Sequence, residues 1–453
     1  MPVLDANNNC QCYMCSTYQK FEMPNEIIES VKNKELVIFC GAGISTESNT
    51  VWPTSFYTDI LTYLTDEYNL ELDTHITFSE LMSRFCKNVP NGRKQLIRKI
   101  NERFDRIQSF PELYKSATRF HREVSKIPLI NTIITTNWDD FFEKECSATA
   151  IVDNNDVSLW NTFDRRVFKI HGSINNIGSI VATTKDYEKC YTRLTSEPIG
   201  DRLKTILGSN CIVFIGFSFG DEDLNKLIDI LSEKLNNFAN QYYLVTIDPS
   251  WENNKDSRII PIITDGCFFL HTLRNILVKD NCLLNDEVYD FADYAAPIVA
   301  KSHLGWLDNT SEFNDTFLKF PEIILSVAYQ DGLIHAYQRC AANKRKGDYL
   351  IPGYLNKRLK SYDTLVKQHH FDNNYLQEYY DLGYLNGLIS LTNFMESSEV
   401  LLPPHFVYKN NYFGSKEEII DFIKNNRDQN IFEYLKTLDL PEDTLPHFAP
   451  WFC

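Results

Sequence analysis

The sequence predicts an α/β fold: a Rossmann-like parallel sheet with a helical insertion, followed by a mostly α-helical C-terminal domain. Three observations carry that prediction. From Glu35 to about Leu277, short apolar runs alternate with amphipathic stretches long enough for helices. That is the pattern of βαβ units whose strands are buried on both faces. Between Ser55 and Ser125 the runs give way to apolar residues at helical spacing, and beyond about Lys279 the strand signals fade.

Taken in order, residues 1–29 read as a polar tail and residues 30–280 as the nucleotide-binding type of domain. Its strands are predicted at Leu36–Cys40, Leu129–Thr135, Val167–Ile170, Cys211–Ile215 and Tyr242–Ile247, each bounded by turn residues. The insertion, about residues 55–125, carries one helical stripe in Phe56, Ile60, Tyr63 and Leu64. Phe78, Leu81, Met82 and Phe85 make another. In the helical domain, 281–453, Tyr375, Tyr379, Leu382 and Ile389 are read as one face of a long helix. Ile419, Ile420, Phe422 and Ile423 suggest a second, with Pro403-Pro404 breaking the two apart.

Bulk composition narrows the function. Hydrophobic residues make up 43% and aromatics 13%, enough to build large cores in a chain of 453 residues. With 45 Lys and Arg against 61 Asp and Glu the net charge is −16, which disfavours direct nucleic-acid binding. Lys344-Arg345-Lys346 is a short basic run that reads as a solvated loop. The polar stretch Met1 to Lys20 lacks a signal core, and no apolar run is long enough to span a bilayer. The expected location is therefore cytoplasmic, without a membrane partner. Twelve cysteines without repeating spacing read as reduced thiols. Cys10, Cys12 and Cys15 cluster within six residues but have no second CxxC to complete a zinc site, and are read as part of the tail.

Four motifs follow predicted strands. The first is Gly41-Ala42-Gly43-Ile44-Ser45, where glycines let a backbone approach a pyrophosphate. It lacks the third glycine of the dehydrogenase fingerprint. The second is Thr135-Thr136-Asn137-Trp138-Asp139-Asp140, more polar residues than one helix cap requires. The third is His171-Gly172-Ser173, and the fourth is Gly216-Phe217-Ser218-Phe219-Gly220-Asp221. The fourth also fits a Gly-X-Ser-X-Gly nucleophile elbow, for which His271 is the one well-placed later histidine. In a parallel sheet all four share the carboxyl edge, where open α/β sheets bind ligands.

These residues resemble the sirtuin family. Gly41-Ala42-Gly43-Ile44-Ser45 matches its cofactor loop, and Thr136-Asn137-Trp138-Asp139 is similar to its Gln-Asn-Ile-Asp. His171-Gly172 is similar to its catalytic His-Gly, and Gly216-Phe217-Ser218 to its Gly-Thr-Ser. The spacing agrees too: 94 residues from Gly43 to Asn137, 34 to His171 and 45 more to Gly216. Two features of sirtuin deacetylases are missing. The stretch Asn49 to Phe56 lacks their Arg, and only Cys190 and Cys211 lie between His171 and Gly216, where they carry two zinc-binding CxxC pairs. Both losses are shared with the sirtuin-like NADases of bacterial antiphage defence, which this chain resembles best.

That resemblance implies an NAD+ hydrolase releasing nicotinamide and ADP-ribose, a gated effector that depletes NAD, with NAD as substrate and no catalytic metal. It implies that Asn137 orients a water, that His171 is the base and that Asp139 binds the nicotinamide carboxamide. Gly41, Ala42, Gly43, Ser45, Thr136, Gly216 and Ser218 would line the cofactor, with Asp248 a further candidate at the adenine-side ribose. The C-terminal domain is expected to mediate homo-oligomerisation or contact with a partner defence protein or phage trigger. The alternatives are an NAD-dependent deacylase or ADP-ribosyltransferase, a non-catalytic NAD or ADP-ribose sensor, and an unrelated Rossmann enzyme.

Overall fold

Leu36–Cys40 (β1) has no polar side chain and no exposed position, as a strand covered by helices on both faces requires. It lies in the middle of a seven-stranded sheet of order β3-β4-β2-β1-β5-β6-β7. The other strands are β2 (Thr132–Thr135), β3 (Thr149–Ile151), β4 (Arg166–Lys169), β5 (Cys211–Ile215), β6 (Tyr242–Thr246) and β7 (Ile259–Ile263). Every pairing in the sheet is parallel. The computed structural model describes residues 20–45, 51–73, 76–217, 242–253, 259–305, 310–342, 351–438 and 448. They fall into two units, Met1–Lys279 and Asp280–Cys453.

In the first unit, α1 (Asn25–Lys32) precedes β1, and among the described residues five α-helices separate β1 from β2. These are α2 (Phe56–Tyr68), α3 (Phe78–Asn88), α4 (Gly92–Ser109), α5 (Pro111–Ala117) and α6 (Arg119–Ser125). Ser55 caps α2 by accepting from the Thr58 amide, and Thr77 with Glu80 forms a capping box on α3. Leu64, Leu81, Met82, Phe85 and Leu96 are fully buried in one cluster. Each such side chain contributes roughly 1.5–3 kcal/mol. After β2 come α7 (Phe141–Cys146), α8 (Asn154–Ser158), α9 (Thr184–Ser196), α10 (Pro198–Ser209) and α11 (Gly266–Lys279).

The second unit contains α12 (Asp286–Leu304), α13 (Thr310–Lys319), α14 (Ile323–Ala342), α15 (Pro352–Phe371) and α16 (Tyr375–Ser397). A hairpin, β8 (Phe406–Tyr408) with β9 (Asn411–Phe413), is followed by α17 (Lys416–Asn426) and α18 (Gln429–Lys436). Every residue from Ile323 to Ile334 is buried, so α14 is a central helix, covered all round. Its Gly332 meets Gly383 of α16 at a close backbone crossing. A Cβ on Gly332 would lie 2.0 Å from the Tyr380 carbonyl oxygen, and one on Gly383 1.9 Å from that of Tyr329.

Several expectations need correcting. Strands β3 and β7 were not predicted. β3 has three residues, and β7 carries Pro261, which a sheet tolerates at an edge strand such as this one. Ile389 is 37% exposed, and the buried side of α16 instead follows Tyr380, Tyr384, Leu388 and Leu391. The C-terminal unit is mostly helical as expected, with one short hairpin added. Cys10, Cys12, Cys15 and the run Lys344-Arg345-Lys346 lie outside the described residues. No helix among the described residues is long and apolar enough to cross a membrane.

Candidate functional site

Parallel register sets the four motifs side by side. Cys40 pairs with Thr135 on one side and Ile215 on the other, and Thr135 pairs with Lys169. Gly41, Thr136, Ile170 and Gly216 therefore leave their strands at one level. The ladder continues past the strand ends: Gly41 donates to the Ile215 carbonyl at 2.9 Å and Ile170 to that of Thr135 at 3.0 Å. Asn137 and His171 each stand two residues beyond the pair Thr135–Lys169. From β1 the chain runs outward to β2 on one side and later returns to β5 on the other. The crevice at that change of direction is where doubly wound sheets take their ligands.

The two glycine loops pack on each other there. The Gly43 amide donates to the Gly216 carbonyl at 2.9 Å. Gly216 has φ +79°, and a Cβ on it would come within 2.6 Å of the Ile44 side chain. A Cβ on Gly41 would lie 2.7 Å from the Gly216 carbonyl oxygen. The glycines expected to admit a pyrophosphate are thus also required by loop-on-loop packing. Ala42 and Gly43 remain exposed at the rim.

Asn137, Ser45 and Asp139 form a short buried chain of hydrogen bonds. The Asn137 side-chain amide donates from Nδ2 to the Gly41 carbonyl and to Ser45 Oγ, both at 3.2 Å. Ser45 Oγ in turn donates to Asp139 Oδ2 at 3.0 Å. Both Nδ2 protons are directed inward, so the amide flip is fixed and Oδ1 is the atom left over. That oxygen is buried and has no hydrogen-bond partner. Below it, Thr135 Oγ1 donates to the Cys40 carbonyl and accepts from the Asn137 amide, tying the turn to β1.

Asp139 is enclosed. Its Oδ1 accepts from the Phe141 amide at 3.2 Å, at the start of α7. Burial pushes its carboxyl up, while Lys169, the Phe141 amide and the Ser45 hydroxyl pull it back. His121 Nε2 lies 3.9 Å from Oδ1. Burial, with the charges of Lys169 and Arg122, holds that imidazole down to about 3, so it faces Asp139 uncharged. Trp138, between Asn137 and Asp139, packs its ring edge-on to Phe56 and tilted against Phe78. The helical insertion thereby grips the loop.

His171 is buried and sets its ring against Tyr187 of α9, centroids 5.0 Å apart. Gly172 has φ +85°, and a Cβ there would strike the Ser179 carbonyl at 2.2 Å, so only glycine makes this turn. The loop is clamped by the Val181 amide on the His171 carbonyl, 3.0 Å, and by the Ile174 amide on that of Trp138, 2.8 Å.

Lys169 was missed by the sequence reading. It is fully buried at the end of β4, donates to the Asp139 carbonyl oxygen and pairs with Glu143 Oε1 at 3.0 Å. The available signal was a lysine inside an otherwise apolar run, Val-Phe-Lys-Ile, on a strand buried on both faces. Such a charge must have a partner. Lys169 joins the Asn137 loop to the strand that carries His171. Replacing it with Met is expected to lower stability by about 3–5 kcal/mol, the cost of orphaning a buried partner. Lys169→Met with Glu143→Leu should recover much of that loss in urea unfolding. Additive losses in the double variant would show that the pair is not coupled.

Of the other candidates, Thr136 is half-buried at the sheet edge. Ser218 lies outside the described residues. Asp248 follows β6, two strands from β1, and accepts from the Ser250 amide at 2.9 Å, capping a turn. His271 is exposed on α11. Among the described residues, no cluster of His, Cys, Asp or Glu could hold a metal ion.

A doubly wound parallel sheet with two glycine loops meeting at its switch point defines a Rossmann-like fold. Within that class, residues 131–261 match the SIR2-like domain family. Distant homologues include NAD(+) hydrolase ThsA of Enterococcus faecium, 28% identical over 59% of this chain and 54% of the relative. ThsA of Cytobacillus dafuensis is 29% identical over 45% of this chain and 39% of that protein. Defense-associated sirtuin 2 of Bacillus subtilis is 27% identical over 53% of this chain and 24% of its own length. The chain thus spans about half or less of the curated relatives it matches.

Proposed function

We propose that this chain hydrolyses NAD+ to nicotinamide and ADP-ribose, and that the activity is gated. The observation that carries the reading is the Asn137 amide: its Nδ2 is committed, and its buried Oδ1 has no partner. A buried acceptor left unsatisfied costs about 1–3 kcal/mol, which a bound water or sugar hydroxyl would recover. In this reading Oδ1 accepts from a water and fixes it against the anomeric carbon. The water oxygen bonds to that carbon as the bond to the pyridinium nitrogen breaks, its electron pair leaving with neutral nicotinamide. His171 takes the water's proton and returns it to solvent. The exposed backbone of Ala42 and Gly43 meets the diphosphate. Asp139 reaches the carboxamide with lone pairs beyond those taken by Ser45 and Phe141.

The missing deacetylase Arg and zinc pairs, and relatives named NAD(+) hydrolase, favour hydrolysis over deacylation. The test is to incubate the full chain with NAD and measure free nicotinamide and ADP-ribose. Release independent of any acyl-lysine peptide is expected, and release only with such a peptide would make the protein a deacylase. Gating is assigned to residues 281–453 through self-assembly, a partner defence protein or a phage signal. A fragment ending at Lys279 should then release nicotinamide at a rate different from that of the full chain. Equal rates at all concentrations, with candidate partners present, would remove the C-terminal unit from control.

A further inference from the structure

The Asp139 carboxyl is enclosed without a cation of its own. Oδ2 accepts from the Ser45 hydroxyl and Oδ1 from the Phe141 amide, both uncharged donors. Lys169 meets this residue through the backbone carbonyl, and its ammonium is paired with Glu143 Oε1 at 3.0 Å. Lys144 is likewise paired with Asp140 at 3.0 Å. Among the described residues, no Lys or Arg nitrogen lies within 4 Å of the Asp139 carboxylate. What faces it is His121 on α6, with Nε2 3.9 Å from Oδ1. That ring has no exposed surface and is walled by Phe141 and Phe142, at 5.5 and 4.4 Å between centroids. Its Nε2 makes no hydrogen bond.

An ionised carboxylate shut away from water is costly, and a buried acid relieves that cost by holding a proton. The surrounding groups divide over where the proton sits. Burial, and after it Asp140, push the Asp139 carboxyl up, while Lys169, the Phe141 amide and Ser45 pull it back. Burial first, and the Asp139 charge after it, also raise Glu143 on α7 and the Cys40 thiol on β1. At His121, burial and the charges of Lys169 and Arg122 oppose a proton, and the Ala117 carbonyl favours one. The titration belongs to the two facing groups together, with Asp139 as the seat of the proton.

We propose that the Asp139–His121 pair carries one proton in the ligand-free protein and releases it to solvent when a ligand with a positively charged ring enters the crevice. This rests on the reading that the nicotinamide end of NAD+ meets Asp139. The oxidised ring is a pyridinium, and its charge supplies the counter-ion that the carboxylate lacks. The acid O–H bond breaks, its electron pair stays on the carboxylate and the proton passes to buffer. Ionised Asp139 then presents only acceptor sites to the carboxamide N–H groups. One proton exchanged per ligand makes affinity fall as pH falls through the titration of the pair, by up to about tenfold per pH unit. That window lies above the ordinary carboxylate range, because burial is the largest influence on Asp139.

The test is calorimetric titration of the full chain over a series of pH values, each in two buffers of different ionisation enthalpy. The probes are carba-NAD+, a carbocyclic analogue that keeps the pyridinium but resists hydrolysis, and NADH and ADP-ribose, which lack the positive ring. Carba-NAD+ should release up to about one proton per site at the acid end of the series and less as pH rises. Neither NADH nor ADP-ribose should release one. Asp139→Asn, uncharged at every pH, should abolish both the release and the pH dependence of carba-NAD+ binding, with circular dichroism as the control for folding. Should that variant not fold, the contrast between ligands on the natural chain decides alone. The proposal is overturned by carba-NAD+ that does not bind, by binding without proton release, by equal release with NADH or ADP-ribose, or by release unchanged in a folded Asp139→Asn. Turnover is not read. A chain that releases the proton on binding yet frees no nicotinamide from NAD+ would overturn the proposed hydrolysis and leave the proton linkage standing.

Discussion

Asn137→Ala is expected to cut nicotinamide release by roughly 10²–10⁴-fold, and His171→Ala by a similar factor, with the fold retained. The Asn137 effect follows from a side chain whose two ends do different jobs. Its Nδ2 holds the Gly41 carbonyl and Ser45, and its Oδ1 is the unpartnered acceptor. Alanine removes both. Asn137→Asp keeps the shape but turns Nδ2 into a second acceptor, facing the Gly41 carbonyl oxygen with no proton to give. It should therefore be no better than alanine, although it is nearly isosteric. Initial rates of nicotinamide release from NAD would check this, with circular dichroism as the control for folding. Near-native turnover in either alanine variant would remove that residue from the mechanism.

Gly383→Ala is expected to destabilise the C-terminal unit by about 3 kcal/mol or more, at the upper end of what overpacking costs. A single methyl at this position would stand 1.9 Å from the Tyr329 carbonyl oxygen, and backbone cannot swing aside as a long side chain can. Helices α14 and α16 would have to separate along a crossing whose other close point, Gly332 on Tyr380, is equally tight. The internal control is Gly353→Ala in α15, where nothing lies within 4 Å. There the substitution should leave stability unchanged or raise it by about 0.5–1 kcal/mol. Melting curves of the two variants would settle it. A Gly383→Ala protein that unfolds no earlier than Gly353→Ala would mean that the helices do not cross as closely as described.

What the sequence made legible was set by burial. Strands such as Leu36–Cys40 and Cys211–Ile215 are apolar throughout because helices cover both faces, and they stand out as runs. The edge strands did not, since an edge tolerates Pro261 and needs only three residues at Thr149–Ile151. At the candidate site, the motif residues were readable because each follows a strand. Their bonding was not. That Ser45 links Asn137 to Asp139 depends on a contact across more than ninety residues, which no local pattern encodes. Lys169 announced itself only as a charge in the wrong place. Ile389 was put on the buried face of its helix, whereas α16 turns Tyr380, Tyr384 and Leu388 toward its neighbours.

The register of β1 also sets an order of events during synthesis. Cys40 pairs with Ile215, so the strand that emerges first waits about 175 residues for one of its two neighbours. At about 5–20 residues per second, that wait is roughly 9–35 s. Until β5 arrives, the Gly41 loop has no Gly216 carbonyl to receive the Gly43 amide, and the crevice has one wall. A nascent or prematurely terminated chain ending before β5 would carry Asn137 and His171 but not the second glycine loop that closes the crevice. For a protein proposed to consume a cofactor its own cell depends on, translation itself then withholds the site until more than two hundred residues have been made.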